Sequence, residues 1–168
     1  DRVHRENNIS IDVAAVVDGV IRRLYNREAK ETLTYHLPES STHCLHNTAL
    51  GKAFLSSLAD DRLIERIATM ELSAKTEKSI VDKNQLLDEI RQVKASGYAI
   101  SEEEYLPGLI AIGAPLCDPI TGKGVGAVSF DFSVLQHDVK TIKTQYAELV
   151  RQTARTLSEL LPPGRNLK

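Results

Sequence analysis

The chain has 168 residues, 42% of them hydrophobic and 26% charged, which excludes a disordered segment and suits one domain with a sizeable core. A formal charge of -2 and a pI of about 6.2 exclude the basic footprint that nucleic acid demands. No apolar run approaches the ~20 residues of a membrane span, and no secretory signal is visible, so Cys44 and Cys117 are expected as reduced thiols in a cytoplasm.

The chain opens Asp1-Arg2-Val3 and its single methionine is Met70, so a piece of a longer protein is expected. "DRVHRENN" reads as the last turns of a helix ending at Asn7-Asn8. "ISIDVAAVV" places Ile11, Val13, Ala15 and Val17 on one face, the period of a half-buried strand. Asp18-Gly19 is the dipeptide of a two-residue type I′ hairpin, with "VIRRLYN" as the returning strand. A third strand is predicted at "TLTYHL", with "PESS" as the turn after it. The helical middle begins in "LHNTALGKAFLSSL", capped by Asn47 or Thr48, and continues through "DDRLIERIATM", where Leu63, Ile64 and Ile67 form an apolar stripe. In "DKNQLLDEIRQVKASG", Asp82 and Gln85 fit a capping box, Leu86, Leu87, Ile90 and Val93 form the buried face, and Gly97 fits the stop. Strands follow at "YAIS", "LIAIGAPL" and "VGAVSFDF". The last helix carries Val139, Ile142, Tyr146, Leu149, Leu157 and Leu160 at three- and four-residue spacing, expected to pack on the sheet. Strands joined mostly as hairpins, with the helices grouped between them, make the fold α+β with an antiparallel sheet.

The last two strands carry the most information. Val128, Phe130 and Phe132 point one way and demand a covering helix, while Ala127, Ser129 and Asp131 point the other. Leu109, Ala111 and Gly113 likewise alternate with Ile110, Ile112 and Ala114. If the two small faces coincide, they floor a hollow furnished with a hydroxyl and a carboxylate; close helix packing on small residues is the other reading. Gly51-Lys52 invites comparison with a nucleotide phosphate loop, but His46 and Ala53 stand where that loop needs a glycine and a hydroxyl. The first amides of this helix are donors without intrahelical partners and favour a small carboxylate, though a plain capped helix start fits equally.

"LHNTALGKAFLSSL", "GYAISEEEYLPGLIAIGAPLCD" and "GVGAVSFDF", in this order and spacing, resemble the effector-binding domain of IclR-type bacterial transcription regulators. The resemblance covers nearly the whole chain. It rests on His46 to Ala53, on Gly97 to Glu104 and on Ala114-Pro115. It implies a GAF-like fold with a ligand cup between sheet and Gly-Lys helix, a winged helix-turn-helix preceding this segment, and small organic or aromatic acids as effectors. Position by position it implies effector-binding donors at Ala49 and Leu50, with Leu109 lining the cup. Ser101 stands where Asp is usual, Ala111 where some members carry Cys, and Ser129 and Asp131 where paired hydroxyls fall. Asp131 argues against a simple dianion, because a carboxylate near a bound carboxylate repels it. A hydroxy, sugar or amino acid fits better.

His43, Cys44 and His46 lie close in sequence without zinc-site spacing, and surface or core roles are expected for them. The "SEEEY" run reads as a solvated acidic loop. No cofactor or metal is expected. The expected protein is a cytoplasmic sensor rather than an enzyme. It would assemble as a homodimer or tetramer and reach DNA only through the preceding domain. The competing readings are a small cysteine-dependent hydrolase using Cys44 and His46, and a GAF-type sensor of a signalling protein that does not bind DNA.

Overall fold

The computed structural model describes residues 2–30, 40–41 and 45–162. Its elements run α1 (Arg2–Asn7), β1 (Ser10–Val17), β2 (Val20–Arg27), β3 (Ser40–Ser41), α2 (Ala49–Ser56), α3 (Asp60–Thr69), α4 (Lys83–Ser96), β4 (Ala99–Glu102), β5 (Leu109–Cys117), β6 (Gly124–Ser133) and α5 (Val139–Glu159). Among the described residues, six antiparallel strands form one sheet in the order β3-β2-β1-β6-β5-β4. The expected α+β class and antiparallel sheet are what the chain adopts.

Two cores sandwich the sheet. Ile110, Ile112, Val128, Phe130 and Phe132 meet Ile142, Val150 and Ala154 of α5 on one face. Ala14, Ala99 and Ala127 meet Leu50, Ala53, Leu63, Ile67, Leu86 and Ile90 of α2, α3 and α4 on the other. The split between large and small residues in β6 therefore decides which helix covers which face. The thick apolar row takes the long helix, and the thin row lets α2 approach.

Several local expectations hold in detail. Asp18 and Gly19 have φ of 52° and 77°, as a type I′ turn requires. Asp82 accepts from Gln85 N at 2.8 Å, and Gly97 ends α4 at φ 78°. Others need correction. β1 lies between β2 and β6 and is buried on both faces, with Ile11 in one core and Ala14 in the other, so it is not a half-buried strand. Ile64 is 50% exposed and Leu160 75% exposed, while Val150 and Ala154 do the packing of α5. Ser40–Ser41, expected in a turn, pair with Ile21 and Arg22 of β2. The strand expected over 32–37 lies outside the described residues.

Gly51 is where α2 presses on the chain that enters it. A Cβ there would lie 2.3 Å from Leu45 Cα and 2.5 Å from its carbonyl oxygen, both backbone atoms that cannot rotate away. Alanine favours a helix over glycine by about 1 kcal/mol, but overpacking a rigid contact costs about 1–3 kcal/mol or more. Gly51→Ala is expected to lose net stability, by about 2 kcal/mol in a denaturant titration; a gain would show that the helix start yields.

Candidate functional site

Register assembles the site. Ser101 of β4 pairs with Ala111 of β5, and Ala111 pairs with Asp131 of β6. One step along, Ala99, Gly113, Ser129 and Asp12 of β1 form the next row. The small faces of β5 and β6 thus coincide. The start of α2 stands over them, and one cavity is lined by Thr48, Ala49, Leu50, Ser101, Tyr105, Leu109, Ala111, Ser129 and Asp131. All seven residues expected at an effector site border it. The cavity is tight at about 10 Å³, on the order of one water.

Gly113 belongs to the other reading of small strand residues. A Cβ there would lie 2.9 Å from Ala49 O, so its missing side chain admits the helix start instead of widening the hollow. Only Ala111 keeps the floor open.

Thr48 is the cap. Its hydroxyl oxygen accepts from Gly51 N at 3.0 Å, and Lys52 N begins the helical ladder on Thr48 O at 3.0 Å. The N–H groups of Ala49 and Leu50 then remain as the donors of the first turn, aligned with the positive end of the helix dipole.

Opposite them lies a carboxyl pair. The carboxyl groups of Asp131 and Asp12 lie together, and two adjacent buried carboxyls are favoured when they share one proton. Burial, then the neighbouring Asp12 charge, push the Asp131 carboxyl well above its ordinary range. Burial also raises Asp12, opposed by a hydrogen bond donated by Asn26 Nδ2 at 3.1 Å and by Arg23 at 3.9 Å. Asp12 and Tyr105 are absent from the site expected from sequence. The polar alternation of Ser10 and Asp12 in β1, matching Ser129 and Asp131 in β6, was the available signal for Asp12. It was masked because Ile11 and Val13 read as the only buried face.

Lys52 has a structural job. Its ammonium, on a side chain 1% exposed, donates to Glu104 Oε1 at 2.6 Å, Ile100 O at 3.1 Å and Glu89 Oε1 at 3.2 Å. It ties α2 to α4, to β4 and to the loop that carries Tyr105. The acidic run is therefore not simply a solvated loop. Glu104 is buried, and burial raises its carboxyl against the opposing pull of Lys52. Glu103 instead pairs at the surface with Lys78 at 2.6 Å.

The other expected chemistry is not assembled. His46 is buried, with Nε2 at 3.0 Å from Ser73 O. His43 and Cys44 lie outside the described residues, and among the described residues no group of three or more His, Cys, Asp or Glu side chains could hold a metal. Burial raises the Cys117 thiol, leaving it protonated and a poor nucleophile. No described helix is long and apolar enough to cross a membrane. A roomier groove of about 420 Å³ lies between the end of β5 and α5, but its Arg151 is already engaged with Ser96 O at 3.0 Å and with Glu148.

Residues 1–159 match the family described as bacterial transcriptional regulator IclR C-terminal. The chain belongs to the IclR family. It is the effector-binding domain of such a regulator. It is 32% identical over 134 residues to the transcriptional repressor AllR of Escherichia coli K12, covering 80% of this chain and 49% of that protein. It is 27% identical over 143 residues to the regulator BhcR of Paracoccus denitrificans, covering 85% and 50%. The chain thus spans about half the length of these curated relatives, which are transcriptional regulators. The Thermotoga maritima IclR structure superposes with a TM-score of 0.85 at 22% identity, covering 95% of this chain and 64% of that one. The Acinetobacter PobR inducer-binding domain, a double mutant in complex with 3-hydroxybenzoic acid, superposes at 0.82 with 23% identity, covering 95% and 93%.

Proposed function

We propose that this IclR-type domain senses a small organic acid in the cup between the start of α2 and the β4-β5-β6 face. The observation that carries the reading is convergence: main-chain donors of Ala49 and Leu50 on one side, Ser101, Ser129 and Asp131 on the other, and Ala111 keeping the floor open between them. The ligand carboxylate meets the helix amides, where the dipole favours an anion. The far end meets hydroxyl and carboxyl oxygens, which suits a hydroxy, sugar or amino acid better than a dianion. Because the cup holds only about 10 Å³, entry requires Tyr105 and its loop to move outward, so the bound and free forms differ in shape.

That difference supplies the regulation. A ligand that binds one arrangement more tightly shifts the balance by its differential affinity, ~1–3 kcal/mol in typical couplings. In a cytoplasmic homodimer or tetramer, the shift resets the spacing of attached winged helix-turn-helix domains, which must reach successive major grooves. The domain by itself has the charge of a protein that does not hold DNA.

A thermal-shift screen of small carboxylic, hydroxy, sugar and amino acids tests the reading. At least one acid is expected to raise the melting temperature in a concentration-dependent way. A panel without any stabilising member contradicts it.

A further inference from the structure

The hydrogens of the cup are already committed, and this determines what a ligand must bring. Ser101 Oγ donates to Asn47 O at 2.8 Å. Ser129 Oγ donates to Asp131 Oδ1 at 3.2 Å. The Asp131 carboxyl lies against Asp12, and a proton shared by two adjacent carboxyls stays between them. Ser101 is 5% exposed and Ser129 1% exposed, so neither hydroxyl has water in which to reorient. A hydroxyl has one donor and two acceptor positions. With the donor used inward, all three groups of the sheet wall show the cavity lone pairs only.

The helix side has the opposite polarity, offering the Ala49 and Leu50 N–H groups. The ligand therefore needs an acceptor at one end and several donors at the other. A ligand hydroxyl supplies one hydrogen to three waiting oxygens, whereas an ammonium supplies three. Charge agrees. The carboxyl pair with one proton keeps one negative charge, and the cation set against it, Arg23, stands 3.9 Å away on the Asp12 side and is 23% exposed. The cup wall itself remains acceptor-rich. Leu50, Tyr105 and Leu109 give the cup an apolar margin for a short substituent.

We propose that the cup takes a small α-amino acid as a zwitterion, its carboxylate on the Ala49 and Leu50 amides and its ammonium among the oxygens of Ser101, Ser129 and Asp131. The proposal rests on the effector-site reading above and narrows it to one ligand class.

Calorimetry and thermal shift on the domain with glycine, L-alanine, L-serine and L-threonine, beside glycolate, L-lactate, D-glycerate and malonate, test it. At least one amino acid is expected to bind tenfold or more tightly than the hydroxy acid of the same carbon skeleton. Asp12→Asn combined with Asp131→Asn preserves shape and removes the negative charge of the pair. It is expected to cut amino-acid affinity at least tenfold and leave hydroxy-acid affinity within twofold. Ser129→Ala, which leaves the carboxyl pair in place, is expected to weaken the amino acid at least threefold. A preference below tenfold, a preference for a hydroxy acid or malonate, or equal losses for both ligand classes in the double variant overturns the proposal while leaving the effector cup standing. Absence of binding by every compound in the panel overturns both.

Discussion

Replacing Lys52 by methionine is expected to lower the unfolding free energy by about 3–5 kcal/mol, the usual cost of removing one partner of a buried ion pair. The side chain is 1% exposed and serves three acceptors on two elements and a loop. Its loss strands Glu104, whose Oε1 loses a 2.6 Å partner and whose Oε2 has none among the described residues. The loss should depend on pH. Burial raises the Glu104 carboxyl above its ordinary 4.5, and Lys52 opposes that rise. An acid whose folded-state pKa is raised costs stability as pH climbs from its unfolded value through its folded one. Lys52→Met removes the opposing pull, so the penalty should be small below about pH 4.5 and fully developed above the raised value. Subtracting wild-type from variant stability at each pH isolates this group from the Asp12–Asp131 pair. Lys52→Met combined with Glu104→Leu should recover to within about 1 kcal/mol of wild type, since an apolar pair replaces the ionic one. A pH-independent loss, or a double variant as weak as the single one, would show that Lys52 acts through packing alone.

Ala111→Val is expected to abolish the response to any stabilising acid while the domain stays folded. Ala111 sits in the centre of the Ser101–Asp131 row, and valine is favoured in strands. Its two added methyl groups enter a cavity of about 10 Å³. The cost in the free protein should stay near about 1 kcal/mol, the lower end of overpacking, read as an unchanged circular dichroism spectrum and a modest fall in melting temperature. The ligand-induced shift seen in wild type should vanish. A preserved shift would place the ligand elsewhere.

The parts of the fold that were legible in sequence are those written in one element. The Asp18-Gly19 turn, the Asp82 cap, the Gly97 stop and the two-sided pattern of β6 each need only local residues to specify them. The coincidence of the β5 and β6 faces was legible only as a condition, because register between strands is set by pairing and not by either strand alone. What escaped were residues whose meaning depends on a partner far along the chain. Lys52 looked like half of a phosphate loop until Glu104 lay against it, 52 residues away. Asp12 was not among the expected site residues, because the second face of β1 is buried under helices far along the chain and leaves no period in β1 itself. Gly113 looked like a hollow, and the main chain of Ala49 fills it. The seven residues named for the cup meet around one cavity, a grouping that the resemblance supplied and periodicity lacks.

The most direct test of the cup is a ¹⁵N–¹H titration of the domain with the acid that gives the largest thermal shift. The Ala49 and Leu50 amide protons are expected to move downfield and saturate together with the signals of Ser101, Ala111, Ser129 and Asp131, all with one dissociation constant. Saturating shifts confined to the β5–α5 groove around Arg151 and Arg155, with Ala49 and Leu50 unmoved, would contradict it.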